Sequence, residues 1–177
     1  MIVFDIDSYV DNTIPRFFRR ILELSVSFKT NDFIFCASDT TSSIKHINHL
    51  KMAGFSNTIK VPNCSSYQII SKLVSNWIDK FLIVSKNRDL CSNLAVNVHL
   101  YDPEDRRYYT PVLFKNEFGV ERSIVKEPFE HVALPAYRYD RFNLQNFELL
   151  CRTNPDLSSF FDSTVDIWKQ LFKETTI

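Results

Sequence analysis

The stretch Ile2-Val3-Phe4-Asp5-Ile6-Asp7 predicts a short buried strand that ends in two carboxylates. Asp5 and Asp7 are spaced i, i+2, and on a strand this spacing points both side chains to the same face. Where the strand ends, the two carboxylates can converge on one cation. Carboxylate pairs of this kind are typical of sites that bind a hard metal ion together with phosphate.

The composition excludes several kinds of binding site. The chain has 2 glycines in 177 residues, so neither a G-x-G-x-x-G turn nor a P-loop can be present. Its formal net charge is zero, which leaves only local basic patches to attract nucleic acid. The 4 cysteines include no C-x-x-C pair and therefore indicate no zinc knuckle or redox motif.

The same sequence indicates an intracellular protein. No apolar run approaches the ~20 residues of a transmembrane helix. The chain opens on a strand rather than on a signal peptide. We therefore expect a cytoplasmic protein with no membrane contact.

The first hundred residues alternate between strand and helix patterns. Repeated strand–helix units with short connections predict an α/β fold, a Rossmannoid doubly wound parallel sheet. The predicted strands cover residues 2–6, 33–37, 58–61, 81–84 and 96–101, and helices are predicted to begin near Thr13, at Ser42 or Ser43, and at Ser65 or Ser66.

Beyond residue 101 the pattern breaks, because prolines divide the chain into short stretches. Small strands are predicted at 112–114 and 123–125, and a final helix is predicted after Asp162 or Ser163. The sequence thus predicts a core at 1–101 and a C-terminal elaboration at 102–177 that packs on it, in one domain overall.

Ligands of doubly wound sheets bind at the carboxyl ends of the strands, near the point where the strand order reverses. In this chain the ends of three predicted strands carry polar or charged side chains: Asp5 and Asp7, then Ser38 and Asp39, then Ser85 and Lys86.

The run from Phe4 to Thr13, FDIDSYVDNT, resembles the first motif of the haloacid dehalogenase superfamily, D-x-D-G-T-h-x-D-T. The order and spacing of the elements extend this resemblance over residues 1–101. The resemblance implies a haloacid-dehalogenase-like fold with a Mg²⁺-dependent phosphotransfer site. By the same resemblance, Asp5 is the nucleophile, Asp7 the general acid/base, Ser38 the phosphate-binding hydroxyl, and Lys72, or less favourably Lys60, the lysine that steadies the intermediate.

The chain departs from that family at two places. Ser8-Tyr9 replaces Gly-Thr in the first motif, and the fourth strand runs into Ser85-Lys86 where the family has acids. An ammonium at Lys86 would repel Mg²⁺ from Asp5 and Asp7 and could serve as its permanent substitute. Our leading hypothesis is therefore a catalytically inactive protein without a cofactor that acts by binding. The alternative is a Mg²⁺-dependent phosphatase acting on nucleotides or on nucleic-acid ends.

Basic residues interleaved with aromatics provide candidate binding surfaces. Such clusters suit contact with a phosphate backbone or a protein partner, although solvated arginines beside aromatics that cover the sheet would look the same. The Gly-poor composition, rich in Phe, Asn and Lys, suggests a phage-like source. In size the chain is similar to a T-even phage host-transcription terminator, and that resemblance implies binding to RNA polymerase and DNA. The candidate binding residues are Arg16, Arg19, Arg20, Arg106, Arg107, Arg138 and Arg141.

Overall fold

The computed structural model describes residues 1–119 except positions 31, 56, 76 and 77, together with positions 132, 134, 149, 152, 153, 155, 158, 159, 162 and 166. Within this part of the chain the strands are β1 (Ile2–Asp5), β2 (Phe33–Ala37), β3 (Thr58–Lys60), β4 (Phe81–Val84), β5 (Val98–Asp102) and β6 (Arg107–Tyr109). The helices are α1 (Ile14–Phe28), α2 (Thr41–Met52), α3 (Ser66–Ser75) and α4 (Pro111–Phe118), with 3₁₀ turns at Ile6–Tyr9 and Arg88–Asn93.

The strands form one sheet in the order β3-β2-β1-β4-β5-β6. The first five strands are parallel, and β6 pairs antiparallel with β5. The predicted α/β fold with a doubly wound parallel sheet is thereby confirmed. Because the chain runs outward from β1 to β3 and then returns to β4, the strand order reverses between β1 and β4.

Helices cover both faces of the sheet. Buried side chains of α1 and α2 pack against one face, and those of α3 pack against the other. All four residues of β1 are buried, as are all five of β2. Strands buried on both faces read as continuous apolar runs, which explains why their positions were predictable.

Local signals set the ends of the helices that follow the strands. The Thr40 hydroxyl accepts the Ser43 N–H and caps α2 at its first turn. At its other end, Gly54 adopts a positive φ of 89° and donates to the Lys51 carbonyl at 3.0 Å. This left-handed conformation favours glycine, so one of the two glycines is needed where the helix stops.

The C-terminal third departs from expectation. The strand predicted at 112–114 is wrong, because Pro111–Phe118 is helical, with the Thr110 hydroxyl accepting the Leu113 N–H and Pro111 in the first turn. Strand β6 was not predicted, and it continues the sheet beyond residue 101. The strand predicted at 123–125 and most of the predicted final helix lie outside the described residues. The division into core and elaboration stays a prediction.

Among the described residues, no helix combines the length and the apolar character that crossing a bilayer requires. The cytoplasmic location stays a prediction.

Candidate functional site

Asp5 lies at the carboxyl end of the central strand β1 and is only 2% exposed. Its Oδ2 accepts hydrogen bonds from the Ser8 hydroxyl at 2.7 Å and from the Ser85 hydroxyl at 2.6 Å. Its Oδ1 is buried and has no hydrogen-bond partner. A carboxylate oxygen in that situation carries a large desolvation cost unless a cation or a proton occupies it.

Backbone groups of the turn after β4 orient the two serine hydroxyls. The Lys86 N–H donates to the Ser8 hydroxyl at 3.2 Å, and the Asn87 N–H donates to the Ser85 hydroxyl at 2.9 Å. Each hydroxyl has one proton and two lone pairs; it accepts one backbone N–H, the two hydroxyl oxygens lie 2.9 Å apart, and both are within hydrogen-bond distance of Asp5 Oδ2. The Asp5 carboxyl is therefore held across the crevice between β1 and β4.

The pKa of Asp5 is raised above its ordinary value. Burial is the largest cause; the hydrogen bonds from Ser85 and Ser8 and the nearby Ser66 hydroxyl oppose it, and the Asp7 charge adds to it. The contribution of Asp5 to stability is therefore complete below its unfolded-state pKa and is lost as the pH rises through the folded-state pKa. An ionised Asp5 therefore costs the folded protein free energy, which is common where a charge serves a ligand rather than the fold.

Asp7 faces the first turn of α2. The Ser38 N–H donates to both of its oxygens, at 3.1 and 3.2 Å, and the Ser43 hydroxyl donates to Oδ1 at 2.7 Å. The N-terminus of a helix favours negative charge, so the first turn of α2 is a favourable place for a carboxylate. A carboxylate offers about four lone-pair positions, and Asp7 can still bind a cation.

Lys86 does not replace a metal at these carboxylates, so that prediction is wrong. Its Nζ pairs with Glu104 Oε2 at 2.8 Å and lies 5.3 Å from the centroid of the Tyr9 ring. The hydrogen bond and charge of Lys86 lower the pKa of Glu104, with help from Arg16. In the turn after β4, the Ser85 side chain is directed to Asp5 and the Lys86 side chain to Glu104.

Of the other residues predicted for the site, only Ser38 has a described contact with either carboxylate. Ser38 contacts Asp7 through its backbone N–H rather than as a hydroxyl donor. Lys60 pairs with Asp39 at 2.7 Å at the same edge of the sheet. Lys72 lies in the last turn of α3, six residues beyond Ser66 and thus about 9 Å farther along the helix; none of the contacts described for Asp5 or Asp7 involves it.

The predicted basic residues occupy different surfaces. Arg16, Arg19 and Arg20 line a concavity of about 540 Å³ on α1, where Arg20 also pairs with Glu23 at 2.9 Å. Arg106 lies in the β5–β6 turn with φ 54°. Arg107 pairs with Glu117 at 3.0 Å. Arg138 and Arg141 lie outside the described residues.

Sequence reasoning missed the serines that surround the two carboxylates. Ser8 and Ser85 were read as losses from a family motif, whereas both donate to Asp5. Ser43 and Ser66 were read only as helix caps, whereas Ser43 donates to Asp7. A signal was present in the sequence, since each of these serines lies within three residues of the end of β1 or β4 or in the first turn of α2 or α3.

The chemistry of the two carboxylates, hard oxygen donors at the carboxyl end of β1 and in the turn after it, suits a hard cation. Among the described residues no three His, Cys, Asp or Glu side chains come together as a metal-binding group. The buried Oδ1 of Asp5 is nevertheless an oxygen ligand without a partner. Mg²⁺ is usually held by one or two carboxylates together with water and substrate phosphate oxygens, and Asp5 with Asp7 provides such a set.

Among the comparisons with known proteins, only the comparison of structures found similar proteins. No family model matches the chain, and no curated protein matches it. The fold is similar to bacteriophage T5 5′-exonuclease with bound divalent metal ions (zinc), with a TM-score of 0.54 and 12% identity over 69% of this chain and 62% of that one. It is similar to a T5 flap endonuclease variant in a pseudo-enzyme–product complex with DNA and metal ions, with a TM-score of 0.51 and 11% identity over 68% and 61%. A mutant of T5 5′-exonuclease gives a TM-score of 0.50 and 13% identity over 98% and 96%.

In the first two comparisons the chain spans about three fifths of the nuclease, 62% and 61% of its length. Identities of 11–13% establish a shared fold and no more. They place this sheet with the 5′-nuclease-like folds, so the haloacid-dehalogenase assignment is wrong. The inactive binding protein inferred from it is wrong too, and nothing supports the phosphatase alternative or an RNA polymerase partner. A parallel sheet with carboxylates at one edge serves several chemistries, which is why the motif misled.

Proposed function

We propose that this protein is a metal-dependent nuclease acting on DNA, with Asp5 and Asp7 as the ligands of the cation. The observation that carries this proposal is the Asp5 carboxylate, buried at the end of the central strand with Oδ1 unpartnered. The likeness to phage nucleases whose structures contain DNA and metal ions supports the same interpretation.

The residues around the carboxylates have separate roles in this proposal. Asp5 and Asp7 bind the cation, which supplies Lewis-acid polarisation of a phosphate oxygen. Ser8 and Ser85 hold the Asp5 carboxylate in one orientation, so that little reorganisation is needed when substrate binds. Ser38 and Ser43 do the same for Asp7.

Positive charge beside the carboxylates would receive the DNA phosphates. Lys86 pairs with Glu104, and the charge of Arg16 also acts on that carboxylate, so the two cations lie near the same acid. Helix α1 follows β1 closely, so its first turns, with Arg16 and Arg19, lie near the edge of the sheet that carries Asp5. Phosphate contacts of this kind position a nucleic acid without reading its sequence.

The proposal is tested by incubating the purified full chain with labelled single-stranded, duplex and 5′-flap DNA. We expect cleavage of at least one of these substrates with Mg²⁺ or Mn²⁺ and none in EDTA, because carboxylates alone cannot polarise a phosphate oxygen. Intact DNA under every metal condition, from protein that melts cooperatively, would reject the nuclease assignment.

Removing the exposed arginines of α1 is expected to weaken DNA binding. The double variant Arg16→Ala/Arg19→Ala should bind duplex DNA about tenfold more weakly at low salt, and the slope of log K against log [salt] should fall by about 2, one unit for each phosphate that is no longer neutralised. The matched control is Lys45→Ala/Lys51→Ala on the exposed face of α2. Equal salt slopes in both double variants would show that the α1 surface makes no phosphate contacts.

A further inference from the structure

The sheet face covered by α1 continues onto β5 and β6, where it carries aromatic side chains. Val98 and Leu100 of β5 belong to the core on the α3 side. Successive strand residues point to opposite faces, so His99 and Tyr101 lie on the α1 side. Tyr108 pairs with Tyr101 in the register of β5 and β6 and shares that face.

These rings hold one another in fixed orientations. The His99 and Tyr108 rings are 5.5 Å apart at an interplanar angle of 82°, and Phe28 at the end of α1 meets Tyr101 at 5.7 Å and 71°. A hydrogen bond of 2.6 Å joins His99 Nδ1 to the Tyr108 hydroxyl. Tyr108 remains 40% exposed, so an oriented aromatic surface faces solvent.

A cavity of about 470 Å³ lies beside this surface. Its described lining includes Phe28, Lys80, Val96, His99 and Tyr108 and contains no Asp or Glu. The volume lies within the ~300–1,000 Å³ that is usual for small-ligand sites. This lining combines aromatic faces with positive charge and no negative charge. Such a lining suits a ligand that has both a π surface and a phosphate.

We propose that this cavity binds single-stranded nucleic acid, with a base stacked on Tyr108 and a phosphate near Lys80. Stacking on aromatic side chains beside a basic group is how proteins hold single strands without reading sequence. The proposal names the single-stranded part of the substrate and in that respect rests on the proposed nuclease function. The cavity includes Ile2 at the first residue of β1, so it lies at the opposite edge of the sheet from Asp5, about 10 Å away along the strand.

The test is fluorescence anisotropy with labelled oligothymidylate in EDTA, so that cleavage plays no part. Tyr108→Ala should weaken binding roughly 5- to 150-fold, the loss expected for one stacked base. Tyr108→Phe keeps the ring and should bind within about twofold of wild type. The matched control is Phe118→Ala, because Phe118 is an aromatic of similar exposure, 47%, on α4 outside the described lining of the cavity.

Two further measurements make the result decisive. Lys80→Ala should lower the salt slope for the single strand by about 0.7. Duplex DNA should be bound equally by wild type and Tyr108→Ala. Unchanged affinity in Tyr108→Ala, or an equal loss for duplex and single strand, would overturn the proposal, as would a failure of wild type to bind oligothymidylate. Weakened single-strand binding in a protein that cleaves nothing would leave this site standing while the nuclease assignment fails.

Discussion

Replacing Asp5 with Asn is expected to abolish metal-dependent DNA cleavage and to make the metal-free protein more stable at neutral pH. The amide removes the charge that binds the cation, and a loss of about 10³-fold in rate corresponds to about 4 kcal/mol of transition-state stabilisation. The same change removes the charge of a buried carboxylate whose Oδ1 has no hydrogen-bond partner. The folded state should therefore become more stable while cation binding is lost.

The gain in stability should depend on pH with a definite sign. Burial raises the pKa of Asp5 in the folded protein, so wild type loses the contribution of this group as the pH rises through the folded-state pKa. The Asn variant does not ionise there. The difference in free energy of unfolding between the variant and wild type should therefore widen from acid to neutral pH, towards about 1 kcal/mol, a size common when a functional site is relaxed.

Urea unfolding across the pH range, together with calorimetric titration of Mn²⁺, measures both halves of this expectation. The control is Asp32→Asn, since Asp32 is an exposed acid just before β2 at the opposite edge of the sheet from Asp5. That change should leave cleavage, metal binding and the pH profile unaltered. Asp5→Asn protein that cleaves at the wild-type rate, or that is less stable than wild type at every pH, would contradict a cation-binding role.

The sheet and the place of the site were predictable because both follow from short-range pattern. Apolar runs in β1, β2 and β4 can be buried only in a sheet covered on both faces, and the carboxyl ends of such strands are where ligands bind. The structure has Asp5 at the last position of β1, while its role as a site residue stays a prediction. Strand β6 was not predicted, because it has three residues, two of them exposed, and therefore shows no such pattern.

The hydrogen-bond partners of Asp5 could not be predicted, because they depend on the register between β1 and β4, and a short sequence motif does not specify that register. Phe4 pairs with Val84 in the sheet, so the next residue along β4, Ser85, stands opposite Asp5. Lys86 is then turned outward, to Glu104. The family assignment failed for a related reason: the D-x-D pattern records only that two acids end a strand, and this arrangement is not confined to one family.

Truncating Phe17 to Ala is expected to destabilise the protein by about 3–5 kcal/mol. Phe17 is fully buried under the α1 side of the sheet. Its ring meets Phe4 at 5.6 Å, Phe18 at 5.7 Å and His46 at 4.8 Å, in each case edge to face. The loss combines the transfer energy of the ring with the cavity it leaves, against a total stability of only about 5–15 kcal/mol for a typical domain.

Urea unfolding of two further variants separates the contribution of core packing to this loss of stability from the contribution of helix propensity. Phe17→Leu keeps most of the volume and should cost clearly less than Phe17→Ala, because the cavity is smaller. Phe118→Ala changes an exposed ring on α4 and should alter stability by less than about 0.5 kcal/mol. If Phe17→Ala cost no more than Phe118→Ala, the α1 side of the sheet would not be a packed core.

The position of Phe17 also connects this core to the site. Phe4, which Phe17 contacts, immediately precedes Asp5 on β1, so a cavity at Phe17 loosens the strand that carries the carboxylate. His46 Nε2, buried and unpartnered, faces the same cluster and could take up a water in that cavity, which would reduce the cost. We therefore expect Phe17→Ala at low temperature, where it is still folded, to bind Mn²⁺ more weakly than Phe17→Leu. Equal Mn²⁺ affinity in the two variants would show that β1 holds Asp5 without the support of the α1 core.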